Sequence, residues 1–360
     1  MRVSTGRAGA GRVDTGHTNR AHLGSDIYVA TSTTWLPERT DAVRDAVRRG
    51  ALDERTAARN GYLGLTVAGG VAPPDMAVYA ARTALSRANW HVDDVGVVAH
   101  AWIHHQGHDF WSPAHYVAAR IGADSAIPVG VQQMCNGGAA AVDIGVARML
   151  ADDDVTSVLV TTADRFDESA LDRWSADYGV CYGDGGTALL LRRGAGRFRL
   201  LSTATVAASE LERMHRGDDE FSPVPRWHSD RIDVRRTKKA FLVAEGDEKF
   251  AVTAAEGVAR VVRRALDDAG VPSDCPRLKL ICLPRLGRAV LDTAYLPALV
   301  DLRAAEILDL GRHTGHLGAG DSLANLAEIE DLGLLATGEL ALIIGAGGGF
   351  TWSALVVEAC

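Results

Sequence analysis

The chain has 360 residues, 47% hydrophobic and 23% charged, enough for two or three ordinary domains or one large duplicated α/β unit with an ample core. Its net charge of -8 argues against a nucleic-acid binder, which needs a basic face to release counterions. No apolar run approaches the ~20 residues that cross a membrane, so no membrane partner is expected.

Residues 1–24 hold Gly, Arg, Ser, Thr and His without apolar periodicity, and they read as a disordered tail with no apolar core of a secretory signal. Residues 27–33 follow as a first strand, and 40–50 as a helix with Val43 and Val47 four apart and Gly50 at its end. After Ala72-Pro73-Pro74, Asp75 caps a helix whose apolar positions are Met76, Val78, Ala80, Ala81, Ala84 and Leu85. A buried strand over 95–103 leads into a loop of histidines and aromatics, 104–113, and a helix over 114–121.

The centre of the reading is Val129-Gly130-Val131-Gln132-Gln133-Met134-Cys135-Asn136-Gly137-Gly138, followed by small and aliphatic residues at helical spacing to Leu150. It predicts strand, tight turn, helix. A cysteine at such a helix N-terminus lies among unpaired N–H groups that favour an anion and hence the nucleophilic thiolate. Gly137 and Gly138 then leave room for a substrate to approach the backbone. The competing reading is a buried, inert structural cysteine. The five cysteines, 135, 181, 275, 282 and 360, are odd in number and lack CxxC spacing, which points to reduced thiols in a cytoplasmic protein.

Further strands are predicted over 155–162 and 188–191, the latter entered through Gly183-Asp184-Gly185-Gly186-Thr187. Residues 205–240 mix charges, Pro and Trp without a period and read as a substrate-covering excursion. From Phe250 the first pattern returns. A helix over 254–268 precedes a strand over 278–283, and Gly315-His316-Leu317-Gly318-Ala319-Gly320-Asp321 feeds a helix over 322–332 and a strand over 340–344. This order implies an internal duplication whose Cys135 and His316 turns meet at a shared centre. The divisions are a tail at 1–24, a first half at 25–200, a connecting segment at 201–249 and a second half at 250–360.

The turn Met134-Cys135-Asn136-Gly137 and the strand ending Thr161-Thr162-Ala163-Asp164-Arg165 resemble the thiolase superfamily. Gly183-Asp184-Gly185-Gly186 and Gly345-Ala346-Gly347-Gly348-Gly349-Phe350-Thr351-Trp352 resemble its β-ketoacyl-ACP synthase type III branch, over roughly residues 26–358. The resemblance implies an α/β protein with a five-layered αβαβα thiolase fold of two duplicated halves, a homodimer, and an acyl thioester on Cys135. It also implies an oxyanion hole from the backbone N–H groups of Cys135 and Gly348. Phe110 or Trp111 stands where the family sends an aromatic across the dimer to close the partner's acyl tunnel, against ordinary interface packing.

Two positions depart from the decarboxylating members. Aligned on the family motifs, Arg285 replaces the usual His and His316 replaces the usual Asn. Arginine cannot serve as a base at neutral pH. The pattern is similar instead to the ketosynthase-III-like acyltransferases of antibiotic biosynthesis, in which Cys, His and an acid move an acyl group from an acyl carrier protein or coenzyme A to an O, N or S nucleophile. Here Cys135 would hold the acyl group, His316 would take the acceptor's proton, and Asp321 would orient the imidazole. That chemistry needs no metal and no redox cofactor. The alternatives are a starter-unit condensing synthase and a non-catalytic subunit that binds a carrier protein.

Other residues carry weaker readings. His313 rivals His316, and Asp321 doubles as a helix N-cap. His215, in Glu212-Arg213-Met214-His215-Arg216-Gly217, reads as an acceptor-side base or contact. His104, His105, His108 and Asp109 lack a second ligand group at matching spacing, so no metal is expected. Arg39, Arg44, Arg48 and Arg49 would meet a coenzyme or carrier phosphate, or form only a solvated helix face.

Overall fold

The computed structural model describes residues 26–224, 229–302 and 305–360; the tail read at 1–24 lies outside the described residues. The first half contributes β1 (Ile27–Trp35), the short antiparallel pair β2 (Thr40–Ala42) and β3 (Gly64–Thr66), β4 (Val97–Ala101), β5 (Ile127–Val131), β6 (Ser157–Asp164) and β7 (Gly185–Arg193). The second contributes β8 (Phe198–Ala207), β9 (Leu278–Cys282), β10 (Glu306–Leu308), β11 (Leu340–Gly347) and β12 (Thr351–Ala359). From outer edge inward, the first half runs β5-β4-β6-β7-β1 and the second β10-β9-β11-β12-β8. Matched strand by strand, these are one order used twice. The two copies join where Tyr28 pairs with Arg199 and Val29 with Phe198.

Five layers follow from what each sheet face must cover. All eight residues of β6 are buried, as a strand with helices on both faces requires. Helices Pro73–Arg87 and Pro113–Ile121 cover the outer face of the first sheet through Met76, Ala80, Ala84 and Val117. Helix Asp247–Ala269 covers that of the second through Val258, Val261 and Ala265. Between the sheets lie helices Gly137–Ala151 and Asp321–Leu332, whose Val142, Val146, Leu323 and Leu326 join both inner faces in one core.

The divisions drawn from sequence need correction at the middle. Strand β8 starts at Phe198 and pairs along its length with β12, so the second repeat begins there rather than after a connecting segment at 201–249. Within the stretch read as irregular, 205–240, lie the end of β8, the turn of helix Arg213–Arg216 and the start of helix Val234–Glu245. Charges on the outward faces of these elements hid their period. The helix predicted over 40–50 is shortened to Val43–Arg48 by the pairing of β2 with β3.

Candidate active site

The two central helices point their N-termini at each other, and the site lies where they meet. Met134 takes φ +49°, rare for a residue with a side chain, and turns the chain off β5 so that half-buried Cys135 faces a cavity of about 420 Å3. The glycines after it serve packing rather than substrate access. A Cβ on Gly138 would lie 2.6 Å from the carbonyl oxygen of Ala319, and one on Gly137 would press on Ala101 and Ala319. Their absence of side chains lets the second half's turn approach the nucleophile's helix.

His316 is held by backbone bonds from the first half: its N–H donates to Cys181 O at 2.9 Å, and its carbonyl accepts from Gly183 N–H at 2.9 Å. A Cβ on Gly183 would fall 1.8 Å from Thr314 O, so the Gly183-Asp184 motif is glycine because this turn packs on it. Asp184 secures the same region through Arg173 at 3.3 Å and the N–H groups of Ala68 and Phe166.

His316 is 1% exposed, with Nδ1 2.6 Å from Asp321 Oδ2. Asp321 is the first residue of helix Asp321–Leu332 rather than its cap, which is Gly320. Its carboxylate also accepts the N–H groups of Leu317 and Arg285, each at 2.8 Å. Burial acts to depress the His316 pKa, but the charge of Asp321 and then Cys135 outweigh it and hold the imidazole well above its ordinary value. The same pairing overcomes burial at Asp321 and keeps that carboxyl below its ordinary value. Nε2 of His316 is buried without a protein hydrogen-bond partner among the described residues, and it shares the cavity with Cys135.

Arg285 occupies this neighbourhood without entering the cavity. Its guanidinium donates to Asn325 at 2.9 Å, Thr314 at 2.9 Å and Glu328 at 2.8 Å, and only its backbone N–H serves Asp321. The glycine turn after β11 closes the other side. A Cβ on Gly347 would lie 2.6 Å from Asn136 N, and one on Gly348 2.6 Å from the His215 ring, so Gly348 lies between the Cys135 turn and His215. The His215 ring packs tilted on Phe350 at 5.4 Å between centroids, and burial, then the charge of Lys238, push its pKa down to about 4.

Other candidates lie elsewhere. His313 is exposed, as are Arg39, Arg44 and Arg48; Arg48 pairs with Asp45, and Arg49 with Asp41. Phe110 is 113% exposed and Trp111 packs on Tyr116, and neither lines the cavity of its own chain. Among the described residues no group of three His, Cys, Asp or Glu is placed to hold a metal ion. All five cysteines are free; burial pushes Cys181 and Cys282 up to about 12, and Cys135 alone lines the cavity. No described helix is long and apolar enough to cross a membrane. Tyr295, Asp177 and Lys238 also line the cavity, and the sequence reading missed them.

Comparison with known proteins places matches on both turns. Residues 129–209 match the 3-oxoacyl-[acyl-carrier-protein] synthase III family, and 282–359 match its C-terminal region. The chain is 28% identical to a β-ketoacyl-[acyl-carrier-protein] synthase III of Rhizorhabdus wittichii, over 85% of this chain and 89% of that one. It is 25% identical to one of Aquifex aeolicus, over 79% and 83%. Among solved structures, the acyltransferase ChlB3 superposes with a TM-score of 0.82 at 29% identity, covering 93% of this chain and 98% of that chain.

Proposed function

We propose that this chain, a member of the 3-oxoacyl-[acyl-carrier-protein] synthase III family of the thiolase superfamily, is a non-condensing acyltransferase of secondary metabolism. It moves an acyl group from an acyl carrier protein or coenzyme A through Cys135 to an O, N or S acceptor. One observation carries the reading: His316 lines the cavity of Cys135 with Nε2 buried and unpartnered among the described residues while Nδ1 is fixed by Asp321, and Arg285 is withdrawn from that cavity. The likeness to ChlB3 supports it.

His316 lines the same cavity as Cys135 and takes its proton as the sulfur becomes the nucleophile. The thiolate attacks the thioester carbonyl, the oxyanion is held by the N–H groups of Cys135 and Gly348, and His316 gives its proton to the departing thiol. Having given that proton away, the imidazole is neutral beside the acyl-enzyme. It then takes the acceptor's proton as the acceptor attacks, and Cys135 leaves as thiolate. The protons balance over the two displacements, with no call on a metal or redox cofactor. We read the enzyme as a homodimer, a reading supported by β5 as an end strand of the sheet among the described residues and by the full exposure of Phe110.

The test is intact mass spectrometry after mixing with acyl-ACP and acyl-CoA donors. Wild type is expected to gain an acyl adduct that Cys135→Ala lacks, and His316→Ala to retain an adduct it cannot pass on. No adduct with any donor, or CO2 loss and a β-ketoacyl product from malonyl-ACP, would overturn the reading.

A further inference from the structure

The wall of the cavity is apolar over most of its area, with Phe166, Leu171, Val180, Ile232 and Leu286 among its residues. Two charged side chains interrupt it. Asp177 is 3% exposed, and the Lys238 side chain 14%; Lys238 Nζ lies 2.6 Å from Asp177 Oδ1. The other carboxylate oxygen accepts the Tyr182 hydroxyl at 3.0 Å, and the Tyr182 ring lies 5.6 Å from that of His316. The charged pair is therefore one tyrosine away from the reacting atoms.

Fastening the fold does not account for this pair. The segment that carries Lys238 is already tied to residues 170–177 by Ile232 N–H to Ala170 O at 2.7 Å, Arg235 N–H to Ala176 O at 2.9 Å and Arg235 Nε to Asp177 O at 3.1 Å. An ion pair removed from water and turned into an apolar cavity is costly unless its remaining hydrogen-bonding capacity is used. An ammonium has three donors, and among the described residues Asp177 is its hydrogen-bond partner. The charge of Lys238 also reaches His215, on the Gly348 side of the cavity.

On the reading of the site given above, we infer that Lys238, oriented by Asp177, donates to an oxygen on the molecule held in the cavity. The acyl group is accordingly one with an apolar body and an oxygen-bearing substituent, such as a hydroxyl, phenol or carboxylate, rather than a plain hydrocarbon chain. The same oxygen could belong to the acceptor. A buried polar group built to meet a substrate oxygen discriminates strongly against the analogue that lacks it.

The experiment uses N-acetylcysteamine thioesters in matched pairs, benzoyl with the three monohydroxybenzoyls and hexanoyl with 6-hydroxyhexanoyl, and follows the growth of the Cys135 adduct by mass. Wild type is expected to accept at least one oxygenated donor about tenfold faster than its parent. Lys238→Met should bring that ratio near one, and Lys238→Gln, which keeps a donor, should retain part of it. Each ratio is internal to one variant, so a loss of folded protein does not mimic the result. A preference absent from acylation, yet present when benzoyl-loaded enzyme is offered alcohols with and without a second hydroxyl, and lost in Lys238→Met, supports the contact and assigns the oxygen to the acceptor. Ratios near one at both stages, or a ratio unchanged in Lys238→Met, overturn the inference but leave the acyltransferase standing. Absence of any adduct overturns both.

Discussion

Three histidines line the cavity, and the surroundings of two of them, fully buried His316 and partly buried His215, drive them in opposite directions. His316, on the Thr314–Asp321 turn, has a carboxylate 2.6 Å from Nδ1 and is held well above its ordinary pKa. His215, on the Glu212–Gly217 turn, has burial and a nearby ammonium acting on it and is pushed down to about 4. Burial alone disfavours imidazolium; a buried carboxylate at hydrogen-bond distance reverses the sign. The first ring is thus equipped to hold and release a proton, and the second is a neutral ring packed against Phe350 and Gly348. Being a histidine in the cavity does not decide the role; the partner on the far nitrogen does.

The largest effect should come from breaking the first side. His316→Ala is expected to slow acyl transfer by about 10²–10⁴-fold, measured as turnover of preloaded acyl-enzyme. Asp321→Asn should follow at about 10²-fold, and it has a second signature. Without the carboxylate the imidazole loses the charge that holds its pKa up, so the pH profile of acyl-enzyme turnover, which needs the neutral imidazole as base, should move to lower pH. A drop in rate with an unmoved profile would make Asp321 a helix-terminus residue only.

A smaller effect, on stability, comes from the contact that brings the two turns together. Gly138→Ala places a methyl 2.6 Å from Ala319 O and 2.9 Å from Leu323 Cδ1. The strain should cost about 1–3 kcal/mol by chemical denaturation, and the separated turns should slow adduct formation as well. A neutral outcome would mean that the central helices can slide apart without cost to the site.

Much of this arrangement was readable before any coordinates. The strand-turn-helix around Cys135 and its repeat around His316 follow from local apolar spacing and glycine placement, and so does the internal duplication, whereas the five layers were implied by the resemblance to the thiolase superfamily. Contacts set by long-range packing were not legible. Gly137 and Gly138 read as room for substrate because the carbonyl of Ala319, some 180 residues on, leaves no mark near them. Arg285 could be excluded as a base by its chemistry, but its withdrawal to Thr314, Asn325 and Glu328 depends on how the 283–288 turn meets the central helix. Lys238 lies 61 residues from Asp177, in a stretch whose charges hide its helical period, so sequence alone does not bring them together.

The smallest prediction tests the second side directly. His215→Gln should reduce transfer only about tenfold, and its clearer trace is in stability against pH. In the unfolded chain this histidine takes a proton near pH 6.5, whereas in the fold it resists until about 4. Between those values the unfolded state binds more protons, so wild type loses up to ~3 kcal/mol through this group as the pH falls from 6.5 to 4. The glutamine chain does not. Its deficit relative to wild type at neutral pH should therefore shrink on acidification, by denaturant midpoints at each pH. Asp164, raised to about 7 by burial, has the opposite sign, giving stability at low pH that is lost as the pH rises through 7. His100, lowered to about 4 by burial, has the same sign as His215. Both groups are present in the two proteins and cancel in the difference. Parallel curves would mean that His215 takes up its proton inside the fold, and the cavity would then hold two proton carriers instead of one.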